Sequence, residues 1–480
     1  MDDEKKRIFT ILVIDGGGVR GILPARVLQE IVERTGKPVA EMFDMVGGTS
    51  TGILLAAGLV APDPEYPNKP RFSAGEMKNF YMRYGPKVFP PMRFKSLRRV
   101  SSDALYDPKP LEDVLLKNFG DVKLKECLTH LVIATTDIKR FKPVWIKSFK
   151  GQKDTSKEGW GSMLLREAVR ATTSAPTYFP ARYVETTPDE NMPHVKQRHS
   201  LIDGQFFAGN APHRMYAMAK KIAPPDAEIV VVHVGTGDVE NRLTPEEFNK
   251  LGVLGLVSKA QGSILMSLAF NMAAEDSRAN MREELGNKYF SFDGILGVNN
   301  NGGNGMPTNS LDDASPENMK NLLKFGDDMV KNHDADIDRL CSILKRKAFM
   351  EQSHTASRSA FQKICDALDE KKTVKSVTAL YKKVLRYSTD LADKPEPGDE
   401  KLLAAAKQLT SAHKEDLDRY YNTLLDSRKS QNSTLNALRT FSDNIRDALS
   451  KATKPAPPTS NDNTSPDDKK KPPAPPPSAA

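Results

Sequence analysis

The sequence predicts an α/β fold: a central, mostly parallel sheet flanked by helices, followed by an α-helical C-terminal region and a disordered Pro-rich tail. Up to about residue 310, short apolar runs alternate with segments whose apolar residues recur at helical spacing, which is typical of α/β domains. After about residue 335 only the helical spacing continues, and from Lys451 proline and lysine dominate. We therefore expect an α/β domain over 1–335, a helical region over 336–450 and a disordered tail over 451–480.

The predicted strands are apolar runs of four to eight residues bounded by turn-forming residues. They are residues 9–14, 43–47, 129–135, 143–149, 199–203 and 228–234. The predicted helices have apolar residues three and four apart, and they are residues 22–34, 52–60, 110–118, 162–171 and 255–272. Residues 61–108, rich in Pro, Lys, Arg and aromatics, are expected to form an excursion of loop and helix. Because helices separate most of the strands, we expect them on both faces of the sheet.

Composition and charge restrict the class of protein. The 480 residues carry a net charge of +8, which favours anionic partners. Cys127, Cys341 and Cys365 lie far apart without metal-ligand spacing, as expected in a reducing compartment. The N-terminal residues lack the apolar segment of a signal peptide, and no apolar run reaches the ~18 residues of a membrane-spanning helix. We expect a cytoplasmic protein whose membrane contact, if any, is peripheral.

The first predicted strand leads directly into a glycine turn, in the stretch I-L-V-I-D-G-G-G-V-R-G at residues 11–21. Backbone N–H groups of such a turn, together with the start of the next helix, favour an anion. Gly16, Gly18 and Gly21 also match the G-x-G-x-x-G of dinucleotide sites. However, the next strand lacks the terminal acidic residue that would bind ribose. We therefore favour a site for a charge that develops during a reaction.

The second strand ends in G-T-S-T-G at residues 48–52, and an apolar helix follows. Strand, G-x-S-x-G and helix form the pattern of a nucleophile elbow, although an ordinary Gly/Ser/Thr turn can match it. A serine nucleophile at Ser50 needs a base, and none of the eight histidines has a distinctive context. Asp203 ends a predicted strand and should lie at the same sheet edge, which makes it the candidate base. A Ser50–Asp203–His233 triad is the alternative, with His233 on a predicted buried strand.

A series of blocks in the same order resembles the patatin-like phospholipase family, including its calcium-independent phospholipase A2 relatives. The blocks are D-G-G-G-V-R-G (15–21), F-D-M-V-G-G-T-S-T-G (43–52), A-V-R-A-T-T-S-A-P-T-Y-F-P (168–180), I-D-G-Q-F-F-A-G-N-A-P (202–212), V-V-H-V-G-T-G (231–237) and L-D-D-A-S-P-E-N-M (311–319). The resemblance covers roughly residues 7–335. Gln205, Ile53 and Ala211 depart from the family pattern around the site without replacing a catalytic group.

The resemblance implies a Ser-Asp dyad without histidine, with Ser50 as nucleophile and Asp203 as base. It implies oxyanion N–H groups at Gly16, Gly17 and Gly18, with Arg20 beside them, and it implies no metal and no cofactor. The implied activity is hydrolysis of fatty acyl esters of glycerophospholipids or related lipids through an acyl-enzyme. The alternatives are a lipid acyltransferase, or a regulated effector or storage module with weak hydrolase activity.

The expected partners are lipids in membranes or micelles. Residues 90–99 and 139–150 mix Lys and Arg with aromatic residues, a composition suited to peripheral contact with anionic lipid surfaces. The same stretches could bind nucleic acid, but no nucleic-acid motif accompanies them and none is expected as a partner. Residues 336–450 are candidates for homo-oligomerisation or for binding a regulatory partner.

Overall fold

A computed structural model describes residues 7–91, 104–149, 160–186, 196–240, 244–250, 264–298, 305–349 and 351. The strands in chain order, β1 to β10, are Ile8–Ile14, Met45–Gly48, His130–Asp137, Lys142–Lys147, Arg182–Thr186, Gln197–Asp203, Glu228–Val234, Asp238–Glu240, Tyr289–Phe292 and Ile295–Val298. The helices, α1 to α11, are Ile22–Thr35, Val39–Met42, Ser50–Val60, Ala74–Val88, Lys109–Phe119, Leu165–Thr172, Gln205–Ala208, Ala211–Ile222, Ile264–Leu285, Pro316–Asn332 and residues 334–349.

The main sheet has eight strands in the order β5-β6-β3-β2-β1-β7-β9, with β4 paired to β3. Strands β3, β2, β1, β7 and β9 run parallel to one another, whereas β4 and β6 are antiparallel to β3, and β5 is antiparallel to β6. Helices such as α1, α3 and α9 lie between parallel strands along the chain, as parallel pairing requires. The predicted α/β class with a mostly parallel sheet is confirmed.

The residues of strand β1 are apolar except for Thr10, because the strand is buried on both faces. Leu12 and Ile14 contribute to a large core with α1, α3 and α4. Ile11 and Val13 point to the other face, where they join a second core with Met215 of α8. Because alternate residues of a strand face opposite sides of a sheet, a strand covered by helices on both faces has no polar face.

The structure contains elements that the sequence prediction lacked, namely strands β5, β8, β9 and β10 and helices α2, α7, α8 and α10. Strand β5 was missed because it is short and alternates, with only Val184 and Thr186 buried. The predicted helix over 255–272 is observed as Ile264–Leu285, and residues 251–263 lie outside the described part. Its second half has the sequence A-A-E-D-S-R-A-N-M-R-E-E-L, in which most residues are good helix formers but no continuous apolar stripe marks the helix.

Helix α11 packs on the α/β core, although it begins where the helical C-terminal region was predicted to start. Its residues Ile337, Leu340 and Leu344 are buried in the same core as the sheet. The buried Lys347 ammonium lies 2.8 Å from Asp44 Oδ2 and donates hydrogen bonds to Thr10 Oγ1 and the Met42 carbonyl. The predicted C-terminal parts beyond residue 351, including the tail, lie outside the described residues.

Among the helices of the described ranges, none is long and apolar enough to cross a lipid bilayer.

A truncation tests whether α11 belongs to the catalytic domain. A chain that ends at residue 335 loses the buried side chains of Ile337, Leu340 and Leu344, each worth about 1.5–3 kcal/mol of burial. We expect this chain to aggregate or to melt well below a matched chain that ends at residue 351. Light scattering and thermal unfolding of both chains measure the effect. Equal stability of the two would show that α11 is dispensable for the core.

Candidate active site

Ser50 occupies a sharp turn between β2, which ends at Gly48, and α3, which starts at Ser50 itself. Its φ is +51°, a left-handed conformation that is uncommon for residues other than glycine and that often marks functional sites. The flanking glycines are required by space. A Cβ at Gly48 would lie 1.9 Å from the Ile14 carbonyl oxygen, and one at Gly52 would lie 2.5 Å from the same atom. The predicted nucleophile elbow therefore has the expected geometry.

The structure brings Asp203 to Ser50. Asp203 is 1% exposed, and the Ser50 side chain lies near enough to its carboxyl to lower the pKa of that carboxyl. The Thr49 hydroxyl also donates to Asp203 Oδ1 at 3.2 Å, and the Gln205 N–H donates at 3.0 Å. Asp203 and Ser50 do not meet because two parallel strands end side by side. Strand β6 runs antiparallel to β3, and the register alone brings Asp203 level with Thr135, two residues beyond the pairing of Gly48 with Ile133.

Burial raises the pKa of the Asp203 carboxyl to about 6, against the opposing effect of the nearby Ser50 side chain, the Gln205 N–H, the Thr49 hydroxyl and the Gly204 N–H. All of these partners are neutral donors. The carboxyl therefore holds a proton more readily than a free aspartate does, while it is still ionised at neutral pH. A carboxylate with this pKa beside a serine hydroxyl can accept a proton from it.

Two hydroxyl residues that the sequence reasoning missed hold Ser50 and Asp203 in place. The Thr172 hydroxyl, at the end of α6, accepts a hydrogen bond of 2.9 Å from the Ser50 N–H and donates one of 2.7 Å to the Ala134 carbonyl. The buried Ser174 carbonyl accepts from the Asp203 N–H at 3.0 Å. Both lie in the block A-T-T-S-A-P, whose position in the series of family blocks was the only signal for them.

His233 contacts a different acid. It is 2% exposed, as predicted for a buried strand, and its Nε2 lies 2.8 Å from Asp15 Oδ2 while its Nδ1 lies 3.3 Å from Ser291 Oγ. Burial would lower the pKa of His233, but the charge and hydrogen bond of Asp15 raise it above the usual value. The hydrogen bonds that the structure gives His233 do not reach Ser50 or Asp203, so the geometry of the alternative triad is not observed.

A buried polar network surrounds the Asp15–His233 pair, and the sequence reasoning did not find it. Asp293 Oδ1 accepts hydrogen bonds from the N–H groups of Gly237 and Gly294, and Arg278 contacts both Asp293 and Asp238. Burial, followed by the charge of Asp238, raises the pKa of Asp293 to about 7. The network joins the ends of β1, β7 and β9. Among the described residues, no group of three or more His, Cys, Asp or Glu side chains could hold a metal ion.

The glycine turn lies against the elbow, and each of its three glycines has a different close contact. Gly18 has a φ of +60°, and a Cβ there would lie 1.8 Å from the Leu311 carbonyl oxygen. The Gly17 N–H donates to Thr51 Oγ1 at 3.2 Å, so it is already engaged. An added Cβ on Gly16 would lie 2.5 Å from the Ser50 Cβ, so this residue must be glycine for the turn to approach the serine.

Arg20 is half-buried behind the turn. Its Nε and Nη1 are buried without a hydrogen-bond acceptor within the described part of the chain. Burial lowers the pKa of this guanidinium, and the charges of Asp293 and Asp238 partly oppose the effect. Arg20 therefore adds positive charge behind the glycine turn.

A cavity of about 730 Å³, its open mouth included, adjoins Ser50. Helix α4, from the predicted excursion, provides much of its wall through Phe80, Tyr81, Tyr84 and Val88. The remaining lining residues are mostly apolar or aromatic. They are Gly18, Val19, Thr51, Leu54, Gly85, Phe89, Leu111, Val114, Thr173, Ala175, Tyr178, Phe179 and Leu311. The Tyr81 hydroxyl is engaged with the Thr51 carbonyl at 2.6 Å. The cavity thus suits a long apolar group.

Comparison with known proteins gives a consistent family. The model of the family described as Patatin-like phospholipase matches residues 12–215. Patatin-like protein 2 of Oryza sativa subsp. indica is 30% identical over 370 residues, which cover 70% of this chain and 87% of that protein. Patatin-like protein 2 of Arabidopsis thaliana is 28% identical over 403 residues, covering 78% and 95%. Probable inactive patatin-3-Kuras 1 of Solanum tuberosum is 27% identical over 403 residues, covering 78% and 96%.

The residues matched by the family model include the glycine turn, the elbow at Ser50, and Asp203. They also include Thr172 and Ser174, which hydrogen-bond to Ser50 and Asp203. They end before His233 and the rest of the buried network. The rice relative extends the similarity over most of both chains at 30% identity. With this similarity and the observed fold, the chain belongs to the patatin-like phospholipase family, whose members are in general lipid acyl hydrolases.

Proposed function

We propose that this protein hydrolyses fatty acyl esters of glycerophospholipids or related lipids through an acyl-enzyme, with Ser50 as nucleophile and Asp203 as base. The observation that carries the proposal is that Ser50, at the wall of an apolar cavity, lies beside the buried carboxyl of Asp203. A strained serine, a base with a raised pKa and an apolar cavity are each found in other proteins. Together at one place they fit ester hydrolysis of a substrate with a long apolar chain.

In the first step the Ser50 oxygen attacks the ester carbonyl carbon, and its proton passes to Asp203. The negative charge that develops on the carbonyl oxygen is stabilised by the glycine turn, where Gly18 lines the cavity and Arg20 adds positive charge. The intermediate then expels the lipid alcohol, which takes the proton from Asp203. The fatty acyl group remains esterified to Ser50.

In the second step a water molecule attacks the acyl-enzyme and gives its proton to Asp203. The intermediate collapses, Ser50 leaves as the alcohol with the proton from Asp203, and a fatty acid is released. The acyl chain would lie in the cavity during both steps, among Leu54, Val114 and the aromatic residues of α4. Burial of each methylene contributes about 0.8 kcal/mol, which favours long chains over short ones.

Two alternatives are distinguished by products. A lipid acyltransferase would use an alcohol instead of water in the second step. A binding or storage module would give no turnover, and one relative bears the name Probable inactive patatin-3-Kuras 1. Purified protein is incubated with mixed phospholipid vesicles and EDTA, and the products are identified by mass spectrometry. Free fatty acid supports the hydrolase, a new acyl ester supports the transferase, and the absence of both supports the module.

Substitution of either dyad residue should abolish hydrolysis. Ser50→Ala removes the nucleophile and Asp203→Asn removes its base, so we expect each to lower kcat by at least about a thousandfold. A fluorophosphonate probe should label the wild type but not Ser50→Ala. Asp44→Asn, at the opposite end of β2, is the matched control, since Asp44 contacts Lys347 and Thr10 rather than the site. It should lose stability but keep its kcat. Strong labelling of Ser50→Ala would place the nucleophile elsewhere.

The activity should depend on the ionisation of Asp203. The base works only when deprotonated, and its pKa is raised to about 6, so kcat/KM should fall as the pH drops through about 6. Thr49→Val removes a hydrogen bond that stabilises the carboxylate. It should therefore move the midpoint to higher pH. The rate is measured with a soluble short-chain ester from about pH 4 to pH 9. A profile that stays flat below pH 5, or the same midpoint in both proteins, would contradict the assignment of the base.

His233 should matter far less to catalysis than Asp203. His233→Gln keeps a hydrogen-bonding side chain near Asp15 but removes the imidazole that pairs with it, so we expect less than about a tenfold loss of kcat together with lower stability. Activity and thermal unfolding are compared with those of Asp203→Asn. A folded His233→Gln protein as inactive as Asp203→Asn would support the triad instead.

A further inference from the structure

The turn between β3 and β4 exposes a large apolar side chain. Phe141 is 91% exposed, and Ile138, at the start of the turn, is 38% exposed. Phe141 and Ile138 therefore place exposed apolar side chains at this end of the sheet that the core does not require.

The backbone of Phe141 is also costly. Its φ is +50°, a left-handed conformation that favours glycine or asparagine and is an outlier for a bulky residue. Neither turn formation nor burial explains a phenylalanine at this position, since an asparagine would suit the backbone and the solvent better. A bulky apolar residue here opposes the preference of the backbone and that of the solvent. This suggests that Phe141 contacts something other than the folded chain itself.

The turn carries positive charge and is firmly held. Lys139, Arg140 and Lys142 are exposed on either side of Phe141. At its base, the buried Asp137 accepts hydrogen bonds from the Lys139 and Arg140 N–H groups at 2.9 and 3.2 Å, and the Arg140 guanidinium contacts the Asp137 carboxylate. The Phe141 side chain is thus presented on a fixed turn between two lysines.

The turn projects from the sheet edge that carries the candidate active site. Ile133 pairs with Gly48 just before the elbow, and Thr135 pairs with Asp203. Strand β3 continues to Asp137, about 7 Å beyond Thr135 at the usual rise per residue, before the turn begins. A surface that contacts the turn therefore lies on the same side of the molecule as Ser50.

We propose that this turn is a membrane anchor: Phe141 enters the interfacial layer of a bilayer, and Lys139 and Lys142 contact its anionic headgroups. The proposal rests on the proposed function, because it names the surface from which the lipid substrate reaches Ser50. Aromatic side chains favour the interfacial layer, and lysines near an anionic surface strengthen binding. The second stretch with this composition, residues 90–99, lies almost entirely outside the described residues.

The test measures vesicle binding separately from chemistry. Full-length Ser50→Ala protein, which should not degrade the lipid, is mixed with vesicles of phosphatidylcholine alone or of an equimolar mixture with phosphatidylglycerol, and bound protein is measured by flotation. Phe141→Asn, introduced into the same protein, suits the left-handed backbone and should weaken binding about tenfold or more. Lys139→Gln and Lys142→Gln should each weaken binding about fivefold on the mixed vesicles only, and high salt should remove that difference.

Tyr66→Asn is the matched control. Tyr66 is 60% exposed beside Lys69 in the loop after α3, near the opposite edge of the sheet, and its substitution should leave binding unchanged. Phe141→Asn should melt at or above the temperature of the parent protein. Equal binding of the parent protein and Phe141→Asn, or no binding of the parent protein to either vesicle, would overturn the anchor. A change of oligomeric state without a change in vesicle binding would assign the turn to contact between copies and overturn it as well.

Two further measurements separate this proposal from the proposed function. In a chain with Ser50 intact, Phe141→Asn should hydrolyse a soluble short-chain ester at the wild-type rate while its rate on vesicles falls in parallel with binding. If the wild type hydrolyses neither substrate but still binds vesicles through Phe141, the function fails and the anchor stands. If vesicle hydrolysis is unaffected by Phe141→Asn, the anchor fails and the function stands.

Discussion

The close approach of the first strand to the elbow is the constraint on which the site depends. The carbonyl oxygen of Ile14 lies so near the elbow that a Cβ at Gly48 or Gly52 would overlap with it, and Gly16 lies equally close to Ser50. Because these positions are glycines, the turns that follow two neighbouring parallel strands can pack directly against each other. The turn that carries Ser50 and the turn that can hold a negative charge then become adjacent without any bridging side chain. The cost of the positive φ at Ser50 is offset by the well-packed sheet around it.

Two acids near this edge, the half-buried Asp15 and the buried Asp203, have different partners, and the difference suits different roles. Asp15 faces His233, a partner whose pKa the pair itself raises, and Arg278 lies close by on Asp293 and Asp238. A buried carboxylate compensated by cations is stable and chemically quiet. Asp203 has neutral donors around it, and burial raises its pKa. It keeps its charge at neutral pH yet can take up a proton, which is the property that a base beside a serine requires.

Much of the fold and of the candidate site was predictable because the relevant signals are local. The predicted strands from β1 to β7 other than β5 follow from short segments rich in apolar residues, since strands buried on both faces have no polar face. Ser50 follows from the spacing of small residues at a sharp turn, and Asp203 from its strand end and family block. The position of Asp203 at a strand end does not by itself bring it to the elbow. Strand β6 is antiparallel to β3, and only the register brings the carboxylate there. Strand β5 and the second half of α9 were not predicted, because the apolar residues of half-exposed elements show only weak periodicity.

The sequence by itself determined the class of fold, the elbow and the glycine turn, because these depend on residue size and apolar spacing within short segments. Only the tertiary structure decided which residues far apart in the chain share one environment. It paired His233 with Asp15 and Arg278 with Asp293, bound Thr172 to Ser50 and Ser174 to Asp203, and packed α11 on the core through Lys347. These contacts depend on strand register and on the burial of single polar groups. Their energies are set by the desolvated surroundings and not by neighbouring residues in the chain, and for this reason no local pattern in the sequence reports them.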